Sequence, residues 1–274
     1  MSVRNRTLIA GATITLLVLL AVTVGSALSP YSATEMDFID VLQPPSLSHL
    51  MGTDSFGRDV LTRVLAGARI SLLISFAGVA LATAAGTLAG MTAAWQGGAA
   101  ETALMALVDL LFAFPSFVLA LFLMVVLGYG IHDVAIAIAL VYFPIFARLA
   151  RNLTVLLREE PYIQAARLIG ERPAAILARE ILPNILSAIV VQASVGVAFG
   201  VVIEAGLSFL GLGVQPPTPS LGVIMADGRE YFDKAPWVLT LTGVAVSFAL
   251  LGLNLLGDGL RDVADPKLRE ALPR

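Results

Sequence analysis

Long apolar runs alternate with short polar stretches along this chain. Six runs stand out: Thr7–Leu28, Ile70–Ala94, Ala103–Leu127, Val134 to about Ala147, Ile185 to about Gly211, and Trp237–Leu256. A helix needs about 20 apolar residues to cross a bilayer, and lipid offers its backbone no outside hydrogen-bond partner. The pattern therefore predicts an all-α integral membrane protein with six transmembrane helices. The fourth run is short and is expected to continue into Arg148 and Arg151. The third contains Asp109 and Pro115, and the fifth contains Glu204.

The polar stretches carry patterns of their own. Between the fourth and fifth runs, residues 161–184 read PYIQAARLIGERPAAILAREILPN. Pro161 suits a helix start, Gly170 a left-handed helix end, Pro173 a second start, and Pro183 a break before the fifth span. Two short helices result, and Ile163, Ala166, Arg167 and Gly170 share one face of the first. From the residues alone, a docking helix and an ordinary amphipathic loop stand even. Before the second run, Val60, Leu61, Val64 and Leu65 alternate with Arg58, Asp59 and Arg63. That spacing predicts an amphipathic helix lying on the membrane surface or on the other spans. Pro216-Pro217-Thr218-Pro219 predicts an extended loop rather than a helix after the fifth span. The chain divides into residues 1–69, a transmembrane helix with an extracytoplasmic segment, and residues 70–274, a five-helix unit.

Composition agrees with the pattern: 58% of the 274 residues are hydrophobic and 14% charged, against about 25% charged in soluble domains. Mean hydropathy is +0.88. Lys and Arg fix the orientation, because cytoplasmic loops carry the excess. With the N-terminus inside, 12 basic residues fall inside and 5 outside, while acidic residues number nine on each side. Both termini and the 161–184 loop are then cytoplasmic. The first run could instead be a cleaved leader. Its length argues against that, since a leader's apolar region is typically about 7–15 residues. A net charge of -3 gives no case for a nucleic-acid partner.

Catalytic patterns are missing. There is no phosphate loop, HExxH, GxSxG or SxxK, and no cysteine, so the residues point away from an enzyme. His49 and His132 stand apart and offer no metal site. Asp109 and Glu204 are the carboxylates inside the spans, where charge is costly. For Glu204, a pathway or gate carboxylate and a helix-to-helix hydrogen bond are balanced. For Asp109 the hydrogen bond is favoured. Gly86 with Gly90, and Gly196 with Gly200, form GxxxG pairs that let helices approach closely. They make the second and fifth spans first candidates for an interface between subunits.

At this point the residues resemble a known family. Gln164, Ala165-Ala166, Gly170 and Leu182-Pro183 are similar to the EAA signature of ABC-importer permeases, with departures at Gln164 and Glu180. GTDSFGRDVLTRVLAGARISL (52–72), EAGLSFLGLGVQPPTPSLG (204–222) and NLLGDGLRDVADPKLR (254–269) resemble the dipeptide/oligopeptide/nickel permease group, and in it the C-type subunit. The resemblance implies a permease of the bacterial plasma (inner) membrane that forms half of a translocation pathway for di- or oligopeptides. It implies a second permease, two cytoplasmic ATPase subunits and an extracytoplasmic binding protein as partners. ATP and Mg would belong to the ATPases, with no cofactor on this chain. Ile163, Gln164, Ala165, Ala166, Arg167, Leu168 and Gly170 would couple to an ATPase. Residues 52–69 and 215–231 would face the binding protein or seal an outer gate. Nickel or another small solute is the alternative substrate. A secondary carrier and a non-transporting membrane scaffold are the alternatives of another class.

Overall fold

The computed structural model describes residues 3–264. The basic residues Lys267, Arg269 and Arg274, the end of the 254–269 stretch and the end of the 70–274 unit lie outside the described residues. Helix α1 (Val3–Leu20) passes through a π turn (Ala21–Gly25) into Ser26–Leu28, and an irregular segment follows. Then come α2 (Val60–Gln96), α3 (Gly98–Phe112), α4 (Ser116–Leu127), α5 (Ile131–Leu157), α6 (Pro161–Leu168) and α7 (Pro173–Ile176). After a π turn at Leu177–Ile181, α7 leads into α8 (Leu182–Phe209). The last two are α9 (Leu221–Glu230) and α10 (Pro236–Ala264).

Among the described residues, five helices are long and apolar enough to cross a membrane: Thr7–Leu28, α2, α5, Pro173–Phe209 and Pro236–Val263. The expected third span is not straight. α3 and α4 meet at 96°, and a sixth span exists if this bent pair is counted as one. Pro115 causes the break, because it has no N–H to donate and disfavours helical backbone at the residue before it. The chain turns on Ala113 N–H, which bonds back to the Asp109 and Leu110 oxygens.

Two other expectations need correction. Of the two placements expected for the amphipathic stretch after Asp59, it takes the one on other helices, not the membrane surface, and it is not a helix of its own. It forms the opening turns of α2, which runs unbroken for 37 residues through the division at 69/70. Asp59 starts it by accepting from Thr62 N–H at 2.8 Å and the Thr62 hydroxyl at 2.7 Å. Val60, Val64 and Ala68 are buried with Leu221, Ile224 and Val238, so the apolar face is satisfied by α9 and α10. Pro183 likewise does not break the chain. The π turn bonds Leu182 N–H back to Leu177 O, and Pro183 at a helix start has no donor left to satisfy. α7 and α8 therefore form one continuous apolar helix. The proline-rich loop is irregular as expected, but α9 follows it, capped by Ser220.

Small residues seat the helices. A Cβ added at Gly78, Gly86 or Gly90 would lie 2.7, 2.7 or 2.2 Å from the carbonyl oxygens of Ala135, Phe143 or Ala147 in α5. Gly196 and Gly200 of α8 meet Val79 and Ser75 of α2. These glycine faces are consumed within the chain, which removes the reason for reading them as a subunit interface. α1 lies along α10, where Gly259 meets Leu8 and Gly252 meets Ile14. The core holds Ile74, Met124, Ile138, Phe146, Ile185 and Leu207 among its buried residues.

Candidate functional site

The two ends of the bundle carry most of its polar chemistry. At one end α6 stands on the last turn of α2. Gly170, at φ +81, closes the helix, with Gly170 N–H bonded to Arg167 O and Glu171 N–H to Ala166 O. That paired closure uses a left-handed residue, which glycine adopts without a Cβ clash. Ile163 is fully buried. It anchors α6 in the core and presents nothing to a partner, so it leaves the set of expected contact residues. Ala166 packs partly against the same core. The Gln164 side-chain amide donates to Arg158 O at 2.9 Å. Arg167 places its guanidinium 3.9 Å from the centre of the Trp95 ring. Arg158 reaches the end of α2 as well, donating to Ala94 O at 2.6 Å.

Outward are Ala165, Leu168 and Gly170, with Ile169 beside them and Arg167 exposed over the Trp95 ring. Leu168 is 88% exposed and Ile169 83%. Nothing lies within 4 Å of a Cβ added at Gly170. Ile169 is not among the expected contact residues, although two successive apolar residues before a helix-ending glycine are a usable signal. Tyr162 sits beside the tip, its phenol held above its usual range by partial burial and by the Glu160 and Glu180 carboxylates. The departure at Gln164 has a local use, because a carboxylate there could not donate to Arg158 O. Glu180 lies in the π turn, where its carbonyl accepts from Asn184 at 2.5 Å.

The two intramembrane carboxylates differ. Asp109 pairs with Arg148 across α3 and α5, and Arg148 also stacks over Phe112 at 4.4 Å. Glu101 and Arg151 tie the same helices, with Nε to Oε1 at 2.6 Å. Glu204 is fully enclosed. Its Oε1 accepts from Ser208 at 2.7 Å, and its Oε2 has no hydrogen-bond partner among the described residues. The Ser71 and Ser220 hydroxyls adjoin the carboxylate. Their oxygens accept from Leu221 and Val223 N–H, each at 3.3 Å. Glu204 thus sits where α2, α8 and the start of α9 converge.

The other end holds a cluster whose members lie far apart in the sequence. Asp54 Oδ2 lies 2.7 Å from Arg58 Nε and 3.3 Å from Arg63 Nε. Asp227 Oδ2 lies 3.2 Å from Arg58 Nη2 and 3.0 Å from Arg63 Nη2. Arg63 is 1% exposed. Burial pushes the Asp227 carboxyl up from its ordinary value, against the pull of Arg63 and Arg58. Trp237 adds a bond from its indole to Thr53 O at 3.3 Å. The cluster joins residues some 170 positions apart, which is why spacing alone could not reveal it.

Residues 86–270 match the family described as binding-protein-dependent transport system inner membrane component. The chain belongs to this family. It is therefore a multi-pass inner-membrane component of a transport system. The dipeptide transport system permease protein DppC of Alkalihalophilus pseudofirmus is 39% identical over 97% of this chain and 88% of its own length. The di/tripeptide transport system permease protein DppC of Pseudomonas aeruginosa is 37% identical over 97% and 90%. The glutathione transport system permease protein GsiD of Escherichia coli is 41% identical over 88% and 80%. Among solved structures, inward-facing MetNI, a methionine ABC transporter, matches with a TM-score of 0.57 at 19% identity. That match covers 74% of this chain and 96% of the other, and it shows a shared fold.

Proposed function

We propose that this transport component is a permease subunit of an ATP-driven importer and forms half of a translocation pathway for di- or oligopeptides. The observation that carries this reading is the α6 tip. A short helix is anchored inward by Ile163, Gln164 and the Arg167–Trp95 stack, and it offers Ala165, Leu168, Ile169 and Gly170 to a partner. A rigid base under an exposed apolar tip suits helix-in-groove docking. In this reading the bent α3–α4 pair is one span of six, both termini are cytoplasmic, and the α6 end faces the ATPases. Two such permeases and two ATPase subunits make up the transporter. ATP and Mg stay on the ATPases, and an extracytoplasmic binding protein delivers peptide at the α9 end. ATP-driven closure of the ATPases moves the docked tips and switches the pathway between outward and inward openings.

The small-peptide names of the relatives support the substrate class. In proteoliposomes, dipeptide uptake is expected only when ATP, the ATPases, the second permease and the binding protein are all present. Uptake by this chain with no ATPase would overturn the reading in favour of a secondary carrier.

A further inference from the structure

Helix α3 has three faces of different chemistry. On one, Val108 is buried and Glu101 reaches α5 to pair with Arg151. On the second, Leu107 and Leu110 stand open, 47% and 60% exposed, with no polar residue beside them. Thr102, Met105, Ala106 and Asp109 make the third, at the i, i+3, i+4, i+7 spacing of a single helical stripe. With Glu101 and Arg151 they line a cavity of about 500 Å³. The side chains of Asp109 and its partner Arg148 are 67% and 42% exposed. Those of Glu101 and Arg151, nearer the start of α3, are 15% and 33% exposed. Charge therefore becomes more open away from the α6 end, where Arg148 lies roughly 14 Å before the end of α5 at 1.5 Å per residue. Lipid would demand the reverse, because a charge open to hydrocarbon is costly. The Leu107–Leu110 face suits lipid, and the Asp109 face suits water.

We propose that the Thr102–Asp109 face of α3 lines the water-filled inner opening of the translocation pathway. The Asp109–Arg148 pair keeps that lining polar without giving it a net charge, as Glu101–Arg151 does nearer the α6 end. Peptides of either sign then pass this surface without electrostatic selection. The assignment rests on the importer reading above and adds the surface that a peptide passes.

The test uses the assembled transporter in nanodiscs. This chain has no cysteine, so each variant offers a single thiol on it. Ala106→Cys on the polar face and Leu107→Cys at the same depth on the apolar face are treated with methanethiosulfonates of fixed positive or negative charge, which lipid excludes. Labelling of this chain is read by mass. Without nucleotide, Ala106→Cys should react about tenfold or more faster than Leu107→Cys, and ATP with vanadate should remove most of that difference. Adding Asp109→Asn leaves Arg148 unpaired, and should favour the anionic reagent over the cationic by about threefold or more at Ala106→Cys. Arg148→Gln should shift the ratio the other way. A purely structural pair would change both rates together. Equally slow labelling at both positions, with peptide uptake intact, overturns the pathway face. So does fast labelling that ATP and vanadate leave unchanged while uptake persists. An unshifted charge ratio overturns the role of the pair. Labelling indifferent to ATP together with absent ATP-dependent uptake overturns the importer reading itself.

Discussion

A methyl group at Gly90 would lie 2.2 Å from the Ala147 carbonyl oxygen, whereas one at Gly170 would meet nothing within 4 Å. The two glycines are needed for different reasons, and substitutions separate them. Gly90→Ala forces α2 away from α5 and should cost about 1–3 kcal/mol, read as a lowered unfolding midpoint in detergent. Gly170→Ala meets only the left-handed backbone, at about 1–2 kcal/mol. Gly170→Glu adds bulk and charge to the exposed tip. It should abolish ATP-dependent uptake with normal membrane levels, and wild-type uptake would argue against docking through this tip. Residue-scale chemistry was only partly legible in the sequence. The GxxxG pairs were visible, but their spacing is the same whether the close neighbour is in this chain or another. Ile163 and Leu168 are both apolar residues of one short helix, and only packing separates the anchor from the exposed tip.

Elements show the same division. The apolar runs located the spans, because lipid imposes a minimum length that sequence displays directly. Their joints were less legible. The stretch at Val60–Leu65 reads as an amphipathic helix on the membrane surface or on other spans, and nothing local reveals that α9 is what covers its apolar face. Pro183 reads as a break, since a π turn that absorbs the missing donor leaves no compositional mark. The contact between α6 and α2 invites a test at this scale. Trp95→Ala removes the ring under Arg167, which lies at the edge of the core it packs against. Hydrogen exchange should quicken in residues 161–170, and uptake should fall further than global stability. Arg167→Ala should act in the same direction, and combining the two should add little, because both break one contact. Full additivity would show that the stack is not the shared cause.

On the scale of the whole molecule, the cluster at the α9 end fastens the segment before α2 to α9 through Arg58, Arg63 and Asp227. Asp227→Ala leaves two buried guanidinium groups sharing Asp54 alone, and a loss below the roughly 3–5 kcal/mol of a fully unpaired buried charge is expected. Limited proteolysis should then cut within residues 30–59 faster, with cleavage elsewhere unchanged. Unchanged cleavage there would mean that contacts outside the cluster, such as Trp237–Thr53 and Ser29–Thr62, hold the segment. Arg158 and the Arg167–Trp95 stack perform the equivalent fastening at the far end, and α2 joins the two. Its 37 residues span about 55 Å at 1.5 Å per residue, well beyond the roughly 30 Å hydrocarbon layer. Gly78 lies at its midpoint, pressed against Ala135 and Ile138 of α5. Gly86 and Gly90 continue the same close approach to α5 toward the α6 end, so α2 and α5 travel together as one stiff strut. A push on the α6 tip would then be carried by the pair, rather than by α2 alone, toward the arginine cluster at the far end.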